Sequence, residues 1–212
     1  MVICIDRAGV VGNDGETHQG IFDLSYLSTI PNINILAPKN FFELENMLEF
    51  AVNLNEPVVI RYPKGTEGDI KSNKIKEIKL GKAEIIKSGK DISIIAIGKM
   101  VLRAQEVSNI LKENNISSEI INVRFLKPLD EKTILKSVTK TKKVITIEDN
   151  LLKGGLGTSV IKAINESNIE NVKVKTFGYN DTFVKHGKVE ELEKTYGLDA
   201  YSIAEYITNE LR

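Results

Sequence analysis

Short runs of β-branched and aliphatic residues alternate along this chain with windows in which apolar residues return at helical spacing. That alternation confines it to an α/β fold with a largely parallel sheet. In the first third, strands are expected at Val2–Asp6, Ile33–Ala37 and Val58–Arg61. Helices are expected over His18–Thr29 and Phe41–Asn53, where Phe42, Leu44, Met47, Leu48 and Ala51 recur on one face. From Thr66 to Ile78 the pattern fades into "TEGDIKSNKIKEI", the composition of an interdomain linker. A second α/β unit follows. Its strands are expected at Ala83–Lys87, Ile92–Ile97, Ser118–Val123, Val144–Glu148 and Val172–Thr176. Its helices are expected at Val101–Asn114, Glu131–Thr139, Leu156–Glu166, Val189–Tyr196 and Ser202–Leu211. In "LKPLD", Pro128 ends a strand and Asp130 offers an N-cap carboxylate to the next helix.

At 212 residues the chain is long for one domain and short for two full ones, and its 42% hydrophobic content is that of a globular protein. Lys+Arg and Asp+Glu each number 29, so no whole-molecule field favours nucleic acid or an anionic membrane, and any charge-based function is local. Cys4 is the single cysteine, which rules out an internal disulfide and fits a reducing, cytoplasmic compartment. The opening residues lack the charged n-region, apolar h-region and small-residue cleavage site expected of a secretory leader, and no apolar run approaches the ~20 residues that span a bilayer. Met1 is followed at once by "VICID", which reads as a buried strand without a lead-in, as if the chain began in mid-fold; an exposed sheet edge and apolar surface are expected there.

The first strand runs into "DRAGVVGNDGETHQG", a loop with glycines at positions 9, 12, 15 and 20. Ligands bind at the carboxyl ends of strands in open α/β sheets, and glycines let backbone approach a ligand closely. Neither a dinucleotide fingerprint nor a G-K-[ST] phosphate loop is present. Asp14 and His18 are four apart and share a face if a helix starts by Gly15; such a pair can move protons, or Asp14 can simply cap the helix beside a solvated His18. Arg7 can hold a carboxylate or phosphate in two-point fashion, or pair with Asp6, Asp14 or Glu16.

Together the motifs are more specific. "DRAGVVGNDGETHQGIFDLSYLSTIPNINILAP", then "EPVVIRYPKG", resembles the pyrimidine-binding domain of the 1-deoxy-D-xylulose-5-phosphate synthase family, thiamine-diphosphate enzymes related to transketolase. "KPLD", "TIEDN", "GGLGTSV", "FGYNDTFVKHG" and "YGLDA" resemble that family's C-terminal domain. The resemblance implies a truncated pyrimidine-binding domain over residues 1–65, a linker over 66–80 and a transketolase C-terminal-type α/β domain over 81–212. Family members condense pyruvate with glyceraldehyde 3-phosphate, releasing carbon dioxide, to make a precursor of isoprenoids, thiamine and pyridoxal, and act as homodimers.

By the same resemblance, His18 and Asp14 are the catalytic candidates. Arg7 and Lys64, with Asp14 and His18, are the candidates for substrate binding. Lys64 stands where an arginine is expected, which keeps the charge and loses the planar fork. Arg61 is expected in a structural ion pair, Phe22 and Asp23 in core packing and helix support, Glu148 and Asp149 at a domain interface, "GGLG" (154–157) in a close turn rather than an anion cradle, and His186 in a structural role. The family's thiamine diphosphate and Mg2+ contacts fall on segments expected upstream of Met1, so this chain is expected to hold neither metal nor cofactor alone and to need the N-terminal portion of the enzyme for activity. Two alternatives remain: a noncatalytic dimerisation or regulatory module, and the C-terminal subunit of a split transketolase or of a pyruvate dehydrogenase β chain.

Overall fold

The computed structural model describes residues 1–65 and 77–211, apart from the side chains of Asn13 and Leu211; residues 66–76, most of the expected linker, lie outside the described residues. The first part builds β1 (Val2–Ile5), α1 (Asp23–Ser28), β2 (Asn34–Leu36), α2 (Phe41–Asn53) and β3 (Val58–Arg61). The second part contains β4 (Glu84–Lys87), β5 (Ile92–Ala96), α3 (Met100–Glu113), β6 (Ser118–Asn122), β7 (Phe125–Lys127), α4 (Glu131–Thr141), β8 (Lys143–Leu151), α5 (Leu156–Asn165), β9 (Lys173–Tyr179), α6 (Val189–Thr195) and α7 (Ala200–Leu211). A four-stranded sheet has the order β1-β3-β2-β7 and a five-stranded sheet the order β4-β6-β5-β8-β9. Pairing is parallel except at β7 on β2 and β4 on β6.

Local chemistry explains several boundaries. The Asn40 side chain accepts from the Glu43 amide and starts α2, and Asp130 accepts from the Thr133 amide and starts α4. Met47 and Ala51 turn the inner face of α2 onto Leu36, Val58 and Ile60, a core that also takes up Ile78 at the end of the expected linker. The opposite face of the first sheet (Ile35, Val59) shares one core with Ile95, Ile121, Val144 and the inner faces of α4 and α5. The second sheet's other face is covered by α3 and α7. The two sheets are thus joined by continuous apolar packing.

Four features depart from expectation. The helix expected over His18–Thr29 begins only at Asp23, because Gly20 exchanges hydrogen bonds with Gly9 (2.8 and 2.7 Å) and holds the preceding residues out of helical geometry. Residues Phe125–Lys127, in the second half of the chain, form a strand of the first sheet. Phe125 is fully buried there, edge-to-face with Phe50 at 5.8 Å. β8 runs on to Leu151 with Glu148, Asp149 and Asn150 all buried. "VICI" is not buried as its composition suggests; it forms the exposed sheet edge also expected there, with Ile3 and Cys4 exposed. No helix among the described residues is long and apolar enough to cross a membrane.

Candidate active site

β1, β2 and β3 are parallel, so their carboxyl ends lie on one side of the first sheet, and the segments leaving them gather the charged candidates. β1 delivers Asp6 and Arg7, and the chain then closes a loop whose base is the Gly9–Gly20 pair. Gly20 has no room for a side chain: a Cβ there would lie 2.0 Å from the Arg7 carbonyl oxygen. Inside the loop, Gly12–Asp14 form one turn of 3-10 helix. The Gln19 side chain, buried, accepts from the Val11 amide (2.7 Å) and donates to the Lys185 carbonyl (3.1 Å). β3 delivers Arg61 and then Lys64.

Three of the four candidates converge. Lys64 Nζ donates to Asp14 Oδ2 at 3.0 Å, and Arg7 Nε stands 3.8 Å from the same oxygen while its Nη1 donates to Asp6 at 3.0 Å. The Lys64 hydrogen bond, with the charges of Lys64, Arg7 and His18, holds the Asp14 carboxyl below its ordinary range, so it is ionised at neutral pH. Arg7 Nε is buried and makes no hydrogen bond; its carboxylate neighbour is Asp14. His18 is exposed, its Nδ1 engaged with the Thr17 hydroxyl at 2.9 Å. It does not share a helix face with Asp14, because the 3-10 turn ends at Asp14 and no helix carries on to His18.

Lys64 also lines a cleft of about 230 Å3 with Val10, Lys39, Tyr62, Leu102 and Val189; Arg7, Asp14 and His18 do not line it. Lys39 and Lys99, on the walls of this cleft, are matched by carboxylates: Lys39 by Glu43 and Glu84, Lys99 by Glu193. Sequence reasoning passed over all of these, and no local signal marks them.

Of the remaining candidates, Arg61 is held in a buried ion-pair network, as expected. Arg61, 1% exposed, donates from Nε to Asp23 (2.8 Å), from Nη1 to the Asp149 carboxylate and from Nη2 to the carbonyls of Gly20 (2.9 Å) and Asp149 (3.0 Å). Burial alone would lower its pKa, but the carboxylates of Asp149 and Asp23 outweigh that and keep it charged. Phe22 packs on Phe183 at 5.8 Å. His186 is exposed beside the loop, its Cβ 3.7 Å from where a Gly15 Cβ would stand.

The glycine-rich start of α5 does hold an acceptor, one belonging to the protein: the Glu148 carboxyl accepts from the amides of Leu156 and Gly157, both at 2.8 Å. A diphosphate therefore has no place at that helix start. Among the described residues no group of three His, Cys, Asp or Glu is arranged for a metal ion. Among the described residues, no diphosphate–metal site is composed around the α5 amides that Glu148 occupies.

The family described as Transketolase, C-terminal domain matches residues 81–203, and that described as Transketolase, pyrimidine binding domain matches residues 1–67. The chain belongs to the transketolase family. Among relatives of this transketolase-family chain, the 1-deoxy-D-xylulose-5-phosphate synthase of Halothermothrix orenii is 45% identical over 97% of the chain, and that of Clostridium tetani 48% identical over 96%. The chain spans about one third of the length of each, 32%. A solved structure described as a split-gene transketolase, an inactive beta4 tetramer, matches 99% of this chain and 66% of its own with a TM-score of 0.87 at 28% identity. The transketolase of Campylobacter jejuni, 20% identical with a TM-score of 0.72 over 98% of this chain, shares the fold.

Proposed function

We propose that this chain is the C-terminal part of a 1-deoxy-D-xylulose-5-phosphate synthase, supplying the acceptor side of a site where pyruvate loses carbon dioxide and its two-carbon remainder joins glyceraldehyde 3-phosphate. The observation that carries the reading is the convergence of Arg7, Asp14 and Lys64 at the carboxyl ends of β1 and β3. Relatives with that activity match almost the whole chain. A sugar phosphate brings close to two negative charges at neutral pH. Arg7 and Lys64 would neutralise them. Asp14, ionised, would accept from an acceptor hydroxyl. His18, exposed at the loop, would deliver or take a proton at the acceptor oxygen.

Thiamine diphosphate, held with Mg2+ by the N-terminal portion, would supply the carbanion chemistry. We place the division between the pyrimidine-binding part and the C-terminal domain in residues 66–80. A cytoplasmic homodimer is the assembly we favour; the lone Cys4 fits a reducing compartment.

The test is reconstitution. The chain mixed with the separately produced N-terminal portion should release carbon dioxide from pyruvate when glyceraldehyde 3-phosphate is present. Arg7→Ala or Lys64→Ala should raise the KM for the aldehyde about 10- to 100-fold, the loss expected for one charged hydrogen bond, without moving that for pyruvate. An assembled but inactive complex would refute the reading. The likeness to a split-gene transketolase supports a second one, a separately encoded subunit; a preference for sugar acceptors over glyceraldehyde 3-phosphate in the reconstituted enzyme would select it.

A further inference from the structure

The loop that bears Arg7, Asp14 and His18 is closed by its own Gly9–Gly20 and Val11–Gln19 hydrogen bonds and is held from outside as well. Its base and its tip are tied to the second half of the chain, at different places. At the base, Arg61 Nη2 donates to the Gly20 carbonyl, and Arg61 is in turn gripped through Nη1 by the Asp149 carboxylate and through Nη2 by the Asp149 carbonyl. Asp149 also abuts the loop directly. Gly9 has φ +75°, and a Cβ on it would meet Asp149 Oδ2 at 2.5 Å, so only glycine admits this approach. Next to the base, Gln19 reaches the Lys185 carbonyl, and towards the tip the Gly187 amide donates to the Gly12 carbonyl at 3.4 Å.

Asp149 is itself part of a chain of charges, buried at Asp23, Arg61, Asp149 and Glu193 and half-buried at Lys99 and Arg103. Lys99 Nζ lies 3.9 Å from Asp149 Oδ2 and 3.1 Å from Glu193, which Arg103 holds at 2.6 Å. The series Asp23–Arg61–Asp149–Lys99–Glu193–Arg103 therefore runs from α1 through the end of β8 to α3 and α6. A buried ion pair adds little to stability over an apolar pair of the same volume, because desolvation offsets the attraction. What such a pair adds is direction, since a guanidinium fork with two carboxylates and two carbonyls around it has one geometry.

We propose that Asp149, acting through Arg61, is a positioning residue for the anion-binding loop, so that the C-terminal half sets the geometry in which Arg7 and Lys64 meet a substrate phosphate. The inference rests on the acceptor-site reading above for its ligand, but not for its structural half.

The test uses the 15N-labelled chain and Asp149→Asn, which keeps the shape and removes the charge. Two measurements are made: the shifts and exchange rates of the Gly15 and His18 amides without ligand, and a titration with glycerol 3-phosphate. Neither Gly15 nor His18 touches Asp149, so a purely local packing role would leave both unmoved. The expected result is that both amides shift and exchange faster in the variant while Gly81, Gly89 and Gly197 stay in place, and that glycerol 3-phosphate binds about tenfold more weakly, within the reach of couplings carried through packed networks.

Loop amides unchanged in Asp149→Asn, or binding within about twofold of the parent, would overturn the proposal. Should the parent chain bind no glycerol 3-phosphate, the acceptor-site reading fails for this chain and the ligand-free measurement alone decides the positioning role. Should Asp149→Asn not fold, Lys99→Met, which loosens Asp149 from the half-buried side, is read in the same way: displaced loop amides support the proposal and unmoved ones overturn it.

Discussion

Replacing Gly155 by alanine probes why "GGLG" sits where it does. The backbone at Gly155 (φ −90°) suits any residue, so the substitution carries no conformational strain. The cost is contact. A Cβ there would stand 2.0 Å from Glu148 Oε2 and 2.7 Å from the Leu151 carbonyl oxygen, where real Cβ atoms do not come within 3.0 Å. The carboxyl group must therefore withdraw, leaving the buried amides of Leu156 and Gly157 without an acceptor. Each orphaned buried donor costs about 1–3 kcal/mol, so Gly155→Ala should destabilise by about 2–6 kcal/mol. A central value of about 4 kcal/mol lowers the unfolding temperature by roughly 8–16 °C in a chain of this size.

Thermal unfolding followed by far-UV circular dichroism reads this directly, and a double-mutant cycle with Glu148→Ala isolates the cause. In that background the amides have already lost their acceptor and the worst contact is gone, so Gly155→Ala should cost less than half as much. An equal cost in both backgrounds would refute the account, leaving the Leu151 carbonyl contact as the reason for the glycine.

Three further outcomes follow from the same geometry. Burial pushes the Glu148 pKa from 4.5 up to about 8, against the pull of the Gly157 and Leu156 amides. The folded state therefore holds a proton that the unfolded chain has released, so this group's contribution is full below the unfolded pKa and falls, by up to ~1.4 kcal/mol per pH unit, as pH rises through the folded one. Urea midpoints of the parent should drop more steeply over that window than those of Glu148→Gln, and parallel curves would contradict this. Glu43→Ala leaves Arg124, 3% exposed, without the carboxylate 2.7 Å from its Nε, and a broken buried pair costs about 3–5 kcal/mol; urea unfolding with a loss under about 1 kcal/mol would mean that Glu84 and solvent replace it. Lys64→Arg restores a planar fork beside Asp14 and should tighten glycerol 3-phosphate binding several-fold by titration; unchanged or weaker binding would show that the fork is not what the phosphate uses.

Strands of β-branched residues were readable because their apolar runs state a periodicity that the sheet then uses, as at β3, β5 and β6. The misreadings share one cause. The expected end of β8 is Glu148, because Glu-Asp-Asn is poor strand sequence, yet the strand continues because the three side chains find partners outside it: Glu148 at the start of α5, Asp149 at Arg61, and Asn150 at Ser25. The helix expected from His18 is shortened because Gly20 is captured by Gly9 and Arg61, and that removes the spacing argument for an Asp14–His18 face. β7 is three residues long and pairs with a strand some ninety positions earlier, a relation that no window along the chain contains.

At the site, spacing alone said little. Arg7, Asp14 and Lys64 were nominated by motif, and their meeting depends on two strands lying side by side, with Ile5 opposite Arg61. The polar residues that local reasoning handled worst are thus those that join the halves. Arg61 and Asp149 behind the loop, and Arg124 and Glu43 across the sheets, are buried charges whose partners come from the other half of the chain. Their positions follow from tertiary pairing. If the loop's geometry is set by that pairing, substitutions far along the chain at Asp149 should alter how Arg7 and Lys64 receive an anion, while substitutions as near as Glu16, exposed beside Asp14, should not.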